Sequence, residues 1–293
     1  MIVITGATGN IGSKTAAALL AKGKKVTAIT RQPGKLGRLR DQGAIVAGGD
    51  MSDADFLTEA FRGAEAVLLM IPPDLKTTDI AKFQQAAGEA QTAAVINAGV
   101  KNIVFISSLG IEASGNGSLV GGLAVQEKRL NALAADVNVI CLRPTGFMEN
   151  LFTQMGAIKS LNSIFSPLHA DLRTGIIATQ DIASVAARRL ERLDFQGKTI
   201  QNLLGNRDYT QKEMAPIVGK AIGRPGLAYT RISFEDYKKA ILQYGISENV
   251  ADAMIAMLKN IDAGYSTIKR SPENTTPTTL EYFAEHDFAA VFG

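Results

Sequence analysis

Three glycines at intervals of three, Gly6, Gly9 and Gly12 in the stretch GATGNIG, follow directly on the strand-like MIVIT. A strand that turns sharply into a helix leaves backbone N–H groups without partners at the helix start, where the positive end of the helix dipole also lies. A pyrophosphate satisfies both. Gly6 permits the tight turn, Gly9 lets the backbone approach the phosphates with no Cβ in the way, and Gly12 lets the helix pack close to the strand. Together with Thr8, Asn10 and Ile11 they form the candidate cradle of a dinucleotide. The spacing is GxxGxxG rather than GxGxxG, so context carries the assignment: a first strand before it, a helix opening on it and a βαβ series beyond.

The end of the second strand selects between cofactors. An acid about 20 residues past the glycines would hold a ribose 2′-hydroxyl, whereas a base would pair with a 2′-phosphate. Thr30 and Arg31 stand there, followed by Lys35 and Arg38 in RQPGKLGRLR, with no acid before Asp41. That pattern favours NADP(H). Asp50, after the third strand, is either an adenine contact or the cap of a helix over 53–61. At the end of the fourth strand Ile71 and Pro72 border the cofactor. Met70, with Phe147, Met148 and Phe152 further on, would bound an apolar substrate pocket, although an ordinary domain interface contains the same residue types.

These residues need a scaffold that brings strand ends together. Runs rich in β-branched residues recur at 1–5, 25–30, 44–48, 66–71, 102–107 and 137–143, and the segments between them have helical periodicity. The longest places Ile80, Phe83, Ala87, Ala94 and Ala98 on one side before Gly99 ends it. Alternating strands and helices imply an α/β fold with a doubly wound parallel sheet, because parallel neighbours need crossover helices and two covered faces. After residue 146 the rhythm changes. ENLFTQMGAIKSLNSIF reads as helical, TGIIAT and KTIQNLLG as short strands, and helices are expected near 181–192, 210–222, 234–243, 248–262 and 279–286. The expected organisation is a cofactor domain over 1–146 and a smaller, mostly helical substrate lobe over 147–293, with a strand or two returning to the main sheet. Met254, Met257 and Leu258 read as core of that lobe.

The 293 residues suffice for this and a substantial core. Basic residues exceed acidic ones by 31 − 28 = 3, too few for a dedicated nucleic-acid or membrane-surface protein. MIVIT is too short for a signal peptide and no run approaches 18 apolar residues, so the chain reads as cytoplasmic. Cys141, the single cysteine, lies in the apolar run VNVICLR and reads as a buried hydrophobe. His169 and His286 lack metal-ligand spacing to any acid or cysteine cluster, and no metal site is expected.

With GATGNIG, FISS at 105–108 and LRPTGFMEN at 142–150, the chain resembles, over nearly its whole length, the NmrA-like branch of the atypical short-chain dehydrogenase/reductase family. The resemblance implies an NADP(H)-preferring Rossmann fold with a small C-terminal substrate lobe. It also implies either a reductase of quinones, dyes and related aromatic molecules or a dinucleotide-binding regulator that acts through a protein partner. Conventional members of the wider family carry YxxxK on the helix after the fifth strand, the lysine lowering the tyrosine pKa so that it protonates the substrate oxygen. Here that helix, in LVGGLAVQEKRLNAL, has no tyrosine, and the match at YSTIK, Tyr265 to Lys269, falls far beyond the sheet. Ser107 is then a nicotinamide-side hydrogen-bonder, and Ser108 and Lys128 are the remaining catalytic candidates. Positioning over the nicotinamide suffices for a quinone or another extended π-system, so a conjugated small molecule is the expected acceptor.

Overall fold

The computed structural model describes all residues except 114, 116 and 265–267. The first half alternates strand and helix: β1 (Ile2–Ile4), α1 (Asn10–Ala21), β2 (Val26–Thr30), α2 (Gly37–Asp41), β3 (Ile45–Gly48), α3 (Ala54–Phe61), β4 (Ala66–Met70), α4 (Ile80–Asn97), β5 (Asn102–Ile106), α5 (Gly121–Asn131) and β6 (Asn138–Pro144). The second half contributes β7 (Gly146–Phe147), α6 (Met155–Leu161), β8 (Ser163–Ser166), β9 (Arg173–Ile177), α7 (Thr179–Arg192), β10 (Lys198–Leu203), β11 (Asp208–Thr210), α8 (Gln211–Ala221), β12 (Ala228–Arg231), α9 (Phe234–Gln243) and α10 (Glu248–Asp262). It ends with α11 (Leu280–Phe283), a π-helical turn and α12 (Ala289–Phe292).

Among the described residues, seven strands form one parallel sheet in the order β10-β6-β5-β4-β1-β2-β3. This is a doubly wound Rossmann sheet, extended by β10 beside β6. Period-two alternation divides the strand side chains between its two faces. Ile2, Ile4, Leu68, Val104, Ile140 and Leu142 join the core beneath α1 and α7, whereas Val3, Val67, Leu69, Phe105, Val139 and Cys141 join the core beneath α3, α4 and α5. Burial on both faces explains why these strands are apolar almost throughout. The strand order reverses between β1 and β4, so both strands end at the topological switch point where ligands of such sheets bind.

A third core around Met148, Ile158, Tyr209, Phe283 and Phe288 belongs to the smaller lobe, with the sheets β11-β9-β7 and β12-β8. Here the expected helix over ENLFTQMGAIKSLNSIF is broken. A 3₁₀ segment covers Met148–Gln154, α6 follows, and Asn162 then turns left-handed at φ 49°, a conformation asparagine tolerates better than most residues. Asn162 Nδ2 donates to Gly226 O at 3.1 Å and its carbonyl accepts from Ala228 N at 3.2 Å, which starts the pairing of β8 with β12. The last helix also runs past 286, to Phe292.

Candidate functional site

The cradle is built from bonds that pin the loop and leave its outer donors free. Thr5 ties β1 to β4, its hydroxyl donating to Leu68 O at 2.8 Å and accepting from Met70 N at 3.1 Å. Ala7 N donates to Ile29 O at 3.1 Å, and Gly9 N to Gly6 O at 2.9 Å. Gly6 adopts φ +63°, and Gly12 packs so closely on the turn that a Cβ there would lie 2.4 Å from Gly6 O. A Cβ on Gly9 would meet only Gly6 O, at 3.3 Å. That contact is tight, so a side chain at Gly9 needs Gly6 O to give by a few tenths of an ångström, and the glycine keeps the outer side of the turn open.

The N–H groups of Thr8, Asn10, Ile11 and Gly12 have no acceptor among the described residues. Gly9 caps α1 without a side chain, and the first turn carries no acid. Six other helices are capped instead by Asp53, Asp79, Thr210, Ser233, Ser247 and Thr279. The start of α1 therefore keeps both unpaired donors and an uncompensated positive dipole end, which fits a pyrophosphate.

Thr8 and Thr30 bring their hydroxyls to 3.3 Å of each other, joining the turn to the end of β2. Arg31 and Lys35 follow, both exposed and neither in a close ion pair among the described residues. Asp50 does not cap α3: Asp53 does, accepting from Phe56 N at 2.9 Å. Asp50 instead accepts from the backbone and hydroxyl of Ser52. These two donors hold its carboxyl below the usual range, and the Arg31 charge adds to the effect.

Met70 is corrected from pocket wall to floor of the turn. It shares its sheet face with Ile4, and its sulfur would lie 2.5 Å from a Cβ on Gly6. Ile71 is buried on the opposite face, and Pro72 is exposed at the rim. Ser107 directly follows β5, its N–H donating to Leu142 O at 2.8 Å, while its buried Oγ has no partner among the described residues. Ser108 Oγ donates to Leu109 O at 3.1 Å, and Lys128 is exposed on α5.

The inner face of α5 carries Gln126, Glu127 and Leu130. Glu127 grips Arg143 of β6 through Nε at 2.9 Å and an Nη at 2.6 Å, and Glu112 engages the same guanidinium from the loop after β5. Glu127 raises the Arg143 pKa, its hydrogen bonds making the largest contribution. An ion pair thus occupies the space between α5 and β6. Tyr265 lies outside the described residues.

Of the remaining pocket candidates, Phe147 is half-buried against the main sheet core, but Met148 and Phe152 are absorbed into the lobe. Met148 is 1% exposed, and Phe152 stacks on Phe288 with centroids 5.5 Å apart and contacts Phe283 at 5.7 Å. Their aromatic partners lie more than a hundred residues away in sequence and could not be read locally.

Helix α10 spans from the sheet's loops to the lobe. At its start Asn249 Oδ1 accepts from Ile80 N at 2.8 Å and Ala253 O from Leu119 N at 3.1 Å. At its end Asp262 accepts from His169 N at 2.6 Å and from Arg231 at 3.1 Å. Between these anchors Met254, Met257 and Leu258 are half-buried rather than core.

Sequence reasoning also missed Lys14, Glu149 and Thr179, which meet in one cluster. The signal available was a carboxylate inside LRPTGFMEN. Among the described residues no group of three or more His, Cys, Asp and Glu could hold a metal ion, and no helix is long and apolar enough to cross a membrane.

A model of the NmrA-like family matches residues 1–281. An NAD(P)H azoreductase of Xenophilus azovorans is 27% identical, with 100% of this chain and 99% of that protein covered. Quinone oxidoreductase 2 of Escherichia coli is 28% identical over 91% of this chain and 88% of its own length. The crystal structure of an NADPH-dependent quinone oxidoreductase from Escherichia coli, complexed with NADPH, superposes with a TM-score of 0.80 at 25% identity, covering 98% of this chain and 100% of that one.

Proposed function

The chain belongs to the NmrA-like family, and we propose that it is an NADPH-dependent oxidoreductase that reduces a quinone-like or other conjugated small molecule. The observation that carries the cofactor is the start of α1, with its four free N–H groups and no capping side chain or acid. Gly6, Gly9 and Gly12 shape that turn, Thr8, Asn10 and Ile11 offer donors beside it, and the Arg31 and Lys35 cations stand where a 2′-phosphate would lie. Asp50 borders the adenine, and Ile71 and Pro72 border the cofactor at the end of β4. Residues 1–146 supply this cradle and residues 147–293 the substrate lobe.

Bound there, NADPH supplies a hydride. The buried Ser107 hydroxyl, which has no partner among the described residues, is available to orient the nicotinamide carboxamide. The half-buried Phe147, packed at the edge of the main sheet core, offers an apolar surface for a flat acceptor. Helix α5 carries no tyrosine to protonate an alkoxide, and its buried Glu127 is committed to Arg143. A conjugated acceptor spreads the incoming charge over its π-system and takes its proton from water.

The test is loss of NADPH absorbance against a panel of quinones, azo dyes and triarylmethane dyes, with aliphatic ketones as controls. Turnover of conjugated acceptors but not ketones is expected, and a charged residue at Phe147 should impair it while NADPH affinity stays nearly intact. Ketone turnover would refute the acceptor class. Tight NADPH binding without turnover across the panel would favour a sensor acting through a protein partner, the reading suggested by the missing tyrosine.

A further inference from the structure

Lys14 lies in the second turn of α1, just beyond the free N–H groups of the cradle. Its ammonium is directed elsewhere: Nζ donates to Thr179 Oγ1 at 2.9 Å and to Glu149 Oε1 at 3.3 Å. Glu149 is 9% exposed, and both of its carboxylate oxygens accept from Thr179 N at 3.0 Å; Oε1 also accepts from the Thr179 hydroxyl. Thr179 is the first residue of α7, whose own N-cap residue, Ala178, has no side-chain acceptor. Glu149 therefore provides the carboxylate that the positive end of α7 needs.

Three elements close on one another through this cluster. One is the helix of the cofactor cradle, another is the start of α7, and the third is the segment after β7, which begins at Met148, so that Phe147 at the end of β7 stands two residues before Glu149. The carboxylate keeps its bonds to Thr179 without Lys14, so α7 stays capped if the lysine is removed. What the lysine adds to the apolar packing of α1 on α7 is a polar tie from α1 to the Glu149 carboxylate itself.

We propose that Lys14 is a positioning residue for the acceptor: it fixes the Phe147–Glu149 segment, and with it the apolar wall, relative to the pyrophosphate-binding turn. This rests on the reductase reading above. Lys14 touches neither acceptor nor cofactor; it acts through Glu149.

The experiment compares wild type, Lys14→Gln and Lys14→Arg in acceptor kinetics, NADPH calorimetry, thermal melting and hydrogen exchange with and without NADPH. Lys14→Gln should lower kcat/KM for the acceptor by about tenfold, the scale on which small misplacements act. NADPH affinity should stay within about twofold and melting nearly constant, and Lys14→Arg should recover most of the loss. In wild type NADPH should slow exchange in residues 146–152 as well as at the cradle; in Lys14→Gln the slowing should be confined to the cradle. Unchanged kcat/KM would overturn the proposal. So would a parallel loss of NADPH affinity, which would make Lys14 a phosphate ligand, or a lower melting temperature with unaltered kinetics, which would make the contact purely structural. If no acceptor is turned over, the reductase reading fails by itself, and exchange in residues 146–152 still decides the coupling.

Discussion

Gly12→Ala should cost stability, whereas Gly9→Val should leave the fold intact and abolish NADPH binding. A Cβ at Gly12 would lie 2.4 Å from Gly6 O, 2.8 Å from Gly6 C and 3.1 Å from Ala7 Cα, all backbone atoms. The turn cannot recede from it, because Met70 fills the space beneath Gly6 and Ala7 N is bonded to Ile29 O. Relief requires a shift of about 1 Å in a pinned loop, and overpacking of this kind costs about 1–3 kcal/mol. At Gly9 the backbone is extended, φ −84° and ψ 168°, which valine adopts readily, and the nearest atom is a single oxygen at 3.3 Å. The native state should therefore lose only about 1 kcal/mol, from the tight oxygen contact and the poorer N-cap, while the valine methyl groups occupy the outer side of the turn that the phosphates must approach. Urea denaturation measures the first effect and NADPH calorimetry the second. Gly12→Ala with unchanged denaturation would refute the pinned loop, and Gly9→Val with unchanged affinity would refute the cradle.

Arg31→Asp should weaken NADPH by about 1.5–3 kcal/mol, roughly 10- to 150-fold, by removing a charge-assisted hydrogen bond to the 2′-phosphate, with NADH much less affected; equal losses for both cofactors in calorimetry would make the residue structural. Burial pushes the Cys141 thiol from 9.0 up to about 12, with the Glu127 charge adding to it. The native protein should therefore ignore a thiol reagent that labels the unfolded chain, and labelling without unfolding would contradict the burial. The same shift sets a sign for stability. The unfolded chain sheds the thiol proton above about pH 9 while the folded one retains it, so this contribution is full below that pH and declines as pH rises towards about 12. Denaturation at about pH 8 and about pH 10 should show a steeper loss in wild type than in Cys141→Ala, and equal losses would remove the linkage.

The glycine turn and the sheet were legible because their signals are local. Period two marks a strand, spacing of three to four marks a helix, and a glycine beside a strand end marks a turn, all within a window of a few residues. Even there parity mattered. Whether Met70 faces the pocket or the floor of the turn depends on which side of the sheet its strand presents, and whether Asp50 or Asp53 caps α3 depends on a three-residue offset that only the bond to Phe56 N resolves. The lobe was less legible. Its strands β8 and β12 are 65 residues apart in register, so neither carries its partner's signature, and residues 163–165 read as helix until Asn162 turns left-handed against Gly226 and Ala228. Met148 and Phe152 needed Phe283 and Phe288 to declare them core rather than pocket. The cluster of Lys14, Glu149 and Thr179 joins positions 135 and 165 residues apart. The sequence by itself determined where strand turns to helix and which groups the turn would offer, because backbone geometry and side-chain period act between near neighbours. Only the tertiary structure decided which distant side chains satisfy one another, because burial drives most polar groups to find a partner and chain closure selects that partner without regard to sequence distance.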